Sequence, residues 1–306
     1  MNKRITHSLI LAILAIMLIS CNTKSKNSAN IPPPLKPVEV PTVITDPLQR
    51  ENYISQHFWD NFDFSDSAHL SLPTRLDAYY IEYLNHLYSS DEQSAMRSSK
   101  IFTSSLCEGH PALRDYYLKI IESSLNDPNS PFRNETLYIW ILEALVQSDK
   151  IDGILKERYK EQLELALKNR PGSTALDFEY STVKGKSGTV HKLNSEFTLL
   201  FFYEPNCPIC DKALDFIKTN LTFKEMSERV IKLALYTGDD IALWHETSEK
   251  FSSDWVVAHD NNLVISLNRL YDRRPSPSIY LLDRDKKVIL KDALPDEVAE
   301  YFRQLQ

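Results

Sequence analysis

The sequence predicts an α+β chain of two domains, an N-terminal all-α helical bundle followed by an α/β/α domain on a mixed central sheet. Apolar residues recur at helical spacing from about residue 49 to 169, in sets separated by short loops. Beyond Arg170-Pro171-Gly172 the pattern changes to short apolar runs alternating with helical stretches. A length of 306 residues also fits two cores better than one. The expected segments are a leader over 1–20, a tether over 21–48, the bundle over 49–170 and the second domain over 174–306.

Lys3 and Arg4 precede an apolar stretch from Leu9 to Ile19. That stretch is shorter than the roughly 20 residues a spanning helix needs, and it fits a signal-peptide core. It closes on Leu18-Ile19-Ser20-Cys21, which resembles a bacterial lipobox. The resemblance implies cleavage before Cys21, acylation of that residue and attachment to a membrane of the cell envelope, periplasm-facing or outer. A plain secretory leader is the alternative. The tether is first small and polar (NTKSKNSAN), then proline-rich (IPPPLKPVEVPTVITDP). The first part reads as flexible and the second as an extended spacer without a core-forming pattern.

In the bundle the helical sets are Leu76, Tyr80, Leu84, Leu87; Leu113, Tyr117, Ile120, Ile121; Leu137, Ile141, Leu145; and Ile151, Ile154, Leu155, Leu163, Leu167. Caps and breakers part them at Ser90-Asp91, Gly109-His110-Pro111, Asn126-Asp127-Pro128 and Asp152-Gly153. The aromatic run from His57 to Phe64 reads as a core plug. Cys107 reads as a partly buried free thiol, and Glu157, Lys160, Glu161 and Glu164 as a solvated face.

In the second domain, Ala175–Tyr180 and Val190–Leu193 flank a Lys184–Gly188 turn as a hairpin. Strands are expected at Phe197–Tyr203, Arg229–Tyr236, Trp255–Ala258, Ser278–Asp283 and Lys287–Lys291. Helices are expected after Cys207, from Asp239 to Phe251, from Asn262 to Tyr271, and from Pro295 onward with Val298, Phe302 and Leu305.

The chemistry concentrates at FTLLFFYEPNCPICDKALD, residues 197 to 215. An apolar run of strand length ends at Pro205, and Cys207 and Cys210 follow as C-x-x-C at the mouth of a helix. Pro208 suits the first helical turn, where its missing N–H is not needed. A helix N-terminus lowers a thiol pKa, and the thiolate is the attacking species in thiol–disulfide exchange. Cys207 is therefore the expected nucleophile and Cys210 the more buried resolving thiol. A structural disulfide, half of a zinc site or two inert thiols are the other readings. No second C-x-x-C supports zinc.

The order strand, C-x-x-C helix, strand, helix, strand–strand, helix resembles thioredoxin. The leading hairpin and the inserted helix–strand piece resemble its TlpA/ResA-like branch of exported, membrane-attached thiol oxidoreductases. The resemblance covers Ala175 to the C-terminus. It implies a thioredoxin-like fold, a redox-active Cys207–Cys210 disulfide with no other cofactor and no metal, and a cis-proline at Pro277 in Pro275-Ser276-Pro277-Ser278. The Ser276 backbone would then pair with an incoming peptide. The bundle, domain and anchor together resemble a group of bacterial lipoproteins whose helical half has no assigned role. The sequence departs from the family at Asn206, where Trp is usual, at Phe201, where thioredoxin keeps a buried Asp, and at Ala213, where TlpA/ResA-like members often have Glu. Glu204 is the nearest acid for proton transfer, and Arg273 and Arg274 are candidates to favour the Cys207 thiolate.

The formal charge is −7, and −9 once Lys3 and Arg4 leave with the leader, without a basic stripe that would suit nucleic acid. No G-x-G-x-x-G, P-loop or H-E-x-x-H occurs, and His191, His245 and His259 stand isolated. Two functions follow from the sequence. One is a lipid-anchored oxidoreductase, a reductase acting on thiols or disulfides of exported proteins and recharged by an envelope electron donor. The other is a non-catalytic envelope binding or scaffold lipoprotein on the same framework.

Overall fold

The computed structural model describes residues 32–305, so the leader, Cys21 and the polar start of the tether lie outside the described residues. Among the described residues six α-helices build the N-terminal half: α1 (Pro47–His57), α2 (Pro73–Ser89), α3 (Glu92–Glu108), α4 (Pro111–Ile121), α5 (Glu135–Gln147) and α6 (Gly153–Leu167), with short 3-10 and π turns at Ser67–Ser71 and Glu122–Asn126. Their starts are fixed locally. Asp46, Asp91, His110, Asn134 and Asp152 each accept a backbone N–H of the first turn, and Pro opens α1, α2 and α4. No helix among the described residues is long and apolar enough to cross a membrane.

The aromatic run does plug the bundle: Phe58, Trp59, Phe62 and Phe64 are buried. Trp59 stacks on Phe102 of α3 at 4.9 Å and meets Tyr117 of α4 edge-on at 5.6 Å. A Cβ on Gly109 would lie 2.6 Å from the Phe64 carbonyl oxygen, so this close approach needs glycine. Helix α3 gave no clear apolar set because its buried face carries Ser98, Ser99 and Thr103. Their hydroxyls are satisfied by the carbonyls of Ser55, Ala95 and Ser99.

Four sequence expectations need correction, the fourth of them in the hairpin described with the sheet. The proline-rich segment is not a free spacer from residue 32 onward: Leu35 packs on the bundle core, its N–H donates to Tyr79 Oη at 2.8 Å, and Arg75 holds the Pro32 carbonyl at 2.9 Å. An extended proline-rich backbone leaves its polar groups free for such side-chain bonds. Of the set expected for α6, Ile151 is buried and Leu155 and Leu163 pack on the core, but Ile154 is 86% exposed and Leu167 is exposed as well, while the helix's buried residues are Tyr159 and Ala166. As the last helix it packs chiefly on α5, and only a narrow stripe is covered. The expected 262–271 helix shrinks to one turn, given with the strands below.

The second half carries β1 (Glu179–Thr182), β2 (Ser187–Thr189), β3 (Phe197–Phe202), α7 (Pro208–Thr219), α8 (Leu221–Glu225), β4 (Val230–Tyr236), α9 (Ile241–Ser248), β5 (Trp255–His259), α10 (Val264–Leu267), β6 (Ser278–Leu282), β7 (Val288–Lys291) and α11 (Pro295–Arg303). The seven strands form one sheet in the order β2-β1-β5-β4-β3-β6-β7. Strands β3, β4 and β5 are parallel, with Phe201 opposite Ala234; β6 is antiparallel to β3, with Leu200 opposite Tyr280. Every residue of β3 is buried, as a central strand requires. Phe197, Leu199 and Phe201 pack with α7, α8, α9 and α11 on one face. Leu200 and Phe202 face the other side, covered by residues 175–193, Tyr271 and the short α10. The hairpin strands are shorter than expected, because Val190–Lys192 turns as a 3-10 helix.

The halves meet along α5, the end of α6 and the segment around β7. Lys291 Nζ binds Glu135 at 2.8 Å and the carbonyls of Ala166 and Lys168 at 3.0 and 2.8 Å. Arg133 pairs with the buried Asp292. Burial raises the Asp292 carboxyl from its usual 3.8 to about 6; Arg133 opposes the rise and the nearby Asp272 carboxylate adds to it.

Trp59→Ala should destabilise the chain by about 3–5 kcal/mol, read as a shift of the denaturant midpoint. The fold favours protonated Asp292, so its contribution is complete below pH 3.8 and is lost as pH rises through about 6. Urea denaturation from pH 4 to 7 should show that downward component in the wild type and not in Asp292→Asn.

Candidate functional site

The site sits where β3 leaves the sheet. Tyr203 to Asn206 form the exit, with Asn206 in the left-handed region at φ 58°. Asparagine tolerates that conformation better than most residues. The turn places Cys207 as N-cap of α7, and Cys207 Sγ accepts the Cys210 N–H at 3.2 Å. Pro208 occupies the first helical position. Cys207 is half-buried, Cys210 is buried, and both carry free thiols, as does the buried Cys107 of the bundle.

Ser276 and Pro277 approach from the loop before β6, and the Ser276–Pro277 peptide is cis. The Ser276 hydroxyl lies 3.2 Å from Cys210 Sγ and 3.8 Å from Cys207 Sγ, and its carbonyl lies 3.9 Å from Cys207 Sγ. One side chain therefore touches both sulfurs. The sequence had pointed to the Ser276 backbone, not its hydroxyl; a serine beside the proline was the signal for it.

These contacts separate the two thiols. Burial works against ionisation of Cys207, yet hydrogen bonds from the Cys210 thiol and N–H, the Ser276 hydroxyl and the Ile209 N–H outweigh it and hold Cys207 below its ordinary value. Burial raises Cys210 to about 11, and its bond to Cys207 adds to the rise. A low-pKa thiol at the surface and a high-pKa thiol behind it are the arrangement that sequential exchange uses.

The arginines lie elsewhere. Arg274 chelates Asp272, and Arg273 binds the hydroxyls of Thr237 and Ser266. Neither hydrogen-bonds Cys207: Arg274 turns back on its own loop, and Arg273 reaches across to the end of β4 and to α10. Arg273 acts instead on Glu204, whose carboxyl is raised by partial burial and lowered by that guanidinium. Glu204 and Cys210 line one crevice of about 10 Å³ with Tyr203, Asp211, Thr247 and Lys250. That is about the volume a single water requires. Phe201, at the position of the usual acid, is 1% exposed and packs edge-on against Trp255 at 5.6 Å.

Among the described residues no group of three His, Cys, Asp or Glu side chains could hold a metal ion. Cys107 and His110 do stand at C-x-x-H spacing, but His110 Nδ1 is engaged in capping α4 through the Ala112 N–H at 3.2 Å. Cys21 lies outside the described residues.

Residues 18–169 match a family described as a domain of unknown function, DUF5106. No curated protein matches the chain. The crystal structure of a thioredoxin-like protein from Bacteroides caccae superposes with a TM-score of 0.84 at 29% identity, over 89% of this chain and 99% of that one. The C-terminal domain of an uncharacterized protein from Bacteroides fragilis matches at 33% identity over 44% of this chain and 98% of that one, with a TM-score of 0.43. The two-domain architecture and the thioredoxin-like fold of the second domain are thus shared with a solved protein.

Ser276→Ala should move the Cys207 ionisation to higher pH, because it removes a donor to that sulfur. Alkylation rates across pH, followed residue by residue in a mass spectrometer, check this; Cys210 should remain the slower thiol throughout.

Proposed function

We propose that this thioredoxin-like chain is a TlpA/ResA-type thiol–disulfide oxidoreductase, anchored in the cell envelope through lipid on Cys21, that reduces disulfides of exported proteins. The observation that carries the reading is the unequal thiol pair: Cys207 is held below its ordinary pKa at a helix N-terminus, and Cys210 is raised to about 11 behind it.

In the proposed cycle the Cys207 thiolate attacks one sulfur of a substrate disulfide. The mixed disulfide forms, the substrate S–S bond breaks, and the released substrate sulfur takes a proton from water. Cys210 then loses its proton to water in the crevice beside Glu204 and attacks Cys207 Sγ. The Cys207–Cys210 disulfide forms and the second substrate thiol leaves, so two electrons have passed to the substrate. A dithiol donor in the envelope restores the pair. The cis Ser276–Pro277 loop, beside both sulfurs, offers its backbone to the substrate strand.

A binding scaffold without catalysis is the competing reading, favoured by Phe201 in place of a buried acid. Trapping separates the two. Cys210→Ser in the full chain should accumulate mixed disulfides at Cys207 that dithiothreitol dissolves, and Cys207→Ser should abolish them. An empty lane, together with a Cys207–Cys210 bond that dithiothreitol cannot open in the folded protein, would establish the scaffold instead.

A further inference from the structure

The bundle grips the stretch of chain that leads into the Ser276–Pro277 loop. Lys168 Nζ, just past α6, donates to the carbonyls of Asn268 at 3.1 Å and Arg269 at 3.0 Å. The buried Asn169 donates from Nδ2 to the Leu270 carbonyl at 2.8 Å, and its Oδ1 accepts the Leu176 N–H at 2.8 Å. Three successive carbonyls are thus taken by two residues at the end of the bundle. Those captured carbonyls coincide with the premature end of α10, and Arg269 sits at φ 46°, a conformation that a non-glycine residue keeps only when its surroundings hold it.

The hold continues toward the sulfurs. The Tyr280 hydroxyl binds the Asp272 carbonyl at 2.9 Å, and Arg274 closes on the buried Asp272 carboxylate. Arg133 of the bundle pairs with Asp292, which lies close enough to Asp272 and Arg274 for their charges to act on one another. Arg133, Asp292, Asp272 and Arg274 make a row of four charges, two carboxylates flanked by two guanidiniums, that starts in the bundle and ends two residues before Ser276.

We propose that the helical domain is a positioning element for the active site: Lys168, Asn169 and Arg133 fix the 268–274 arm and, through it, the Ser276 hydroxyl against both sulfurs. This deepens the oxidoreductase reading and rests on it. Small shifts of the arm matter because Ser276 Oγ is 3.2 Å from one sulfur and 3.8 Å from the other. A hydrogen bond at that reach weakens steeply with small displacements. None of the three bundle residues touches a sulfur, so each acts through the arm.

The test uses the full chain with Lys168→Met, Arg133→Ala, Arg133→Lys and, as control, Lys100→Ala, whose partner Glu143 lies within the bundle at 3.0 Å. Cys207 alkylation is followed against pH, and the Cys207–Cys210 midpoint by redox titration, with circular dichroism as the folding check. Lys168→Met and Arg133→Ala should each slow alkylation at neutral pH by about fivefold and move the midpoint on the order of 20 mV, with Arg133→Lys restoring both and Lys100→Ala changing neither. Unchanged alkylation profiles in Lys168→Met and Arg133→Ala, both folded, overturn the inference. The alkylation profile decides it even if the wild-type couple proves irreversible, a result that would sink the redox reading alone.

Discussion

The first turn of α7 leaves backbone N–H groups without an intrahelical partner, and that of Cys210 is met by Cys207 Sγ at 3.2 Å. Serine or aspartate commonly fills such a cap with oxygen; here the acceptor is the sulfur proposed as the nucleophile. A thiolate accepts better than a thiol, so the cap and the ionisation of Cys207 reinforce one another. The constraint reaches outward from there. Asn206 must turn through the left-handed region to present Cys207, Pro208 must not need an N–H, and β3 must be fixed on both faces to aim the exit.

The same bond sets the proton problem. With Phe201 at the position of the usual acid, Cys210 has no buried carboxylate beside it, and burial together with Cys207 raises it to about 11. Part of that rise is conditional. Once Cys207 is bound in a mixed disulfide it carries no negative charge, so its share of the penalty on Cys210 falls away and desolvation remains. In the proposed cycle Cys210 thus becomes easier to ionise at the step that needs its thiolate. The crevice lined by Glu204 and Cys210 has about the volume of one water, and Arg273 keeps that carboxyl from rising as far as burial alone would take it.

The sheet, the α7 turn and the aromatic plug were legible because each is written in local pattern. β3 is an unbroken apolar run, the caps are single residues, and Phe58, Trp59, Phe62 and Phe64 fall within one short stretch. What escaped was decided by partners distant in sequence. α3 hides behind buried Ser98, Ser99 and Thr103, which read as polar until their carbonyl partners are known. The 262–271 stretch carries leucines at helical spacing, yet Leu267 is 76% exposed and only one turn forms. Cys207 and Cys210 were visible as a motif; the Ser276 hydroxyl that touches both sulfurs was not, since it comes from a loop 66 residues past Cys210.

The connection between the halves bears on how the bundle can matter at all. Linkers between independent domains are usually exposed and flexible. Here the connection is absorbed into the sheet edge: Gly172 N–H binds the Val288 carbonyl at 2.7 Å, Val288 N–H binds Ser173 at 2.8 Å, and Ala175 N–H binds Lys286 at 2.8 Å. Moving the bundle as a body would break those ladder bonds as well as the Lys291 contacts to Glu135, Ala166 and Lys168. Lys168 and Asn169 stand immediately before this stretch, so they are anchored on the sheet while they hold the arm. A displacement at α6 therefore has little slack to absorb it before it reaches residues 268–274, and that is the condition under which a helical domain remote from two sulfurs can set the position of the hydroxyl between them.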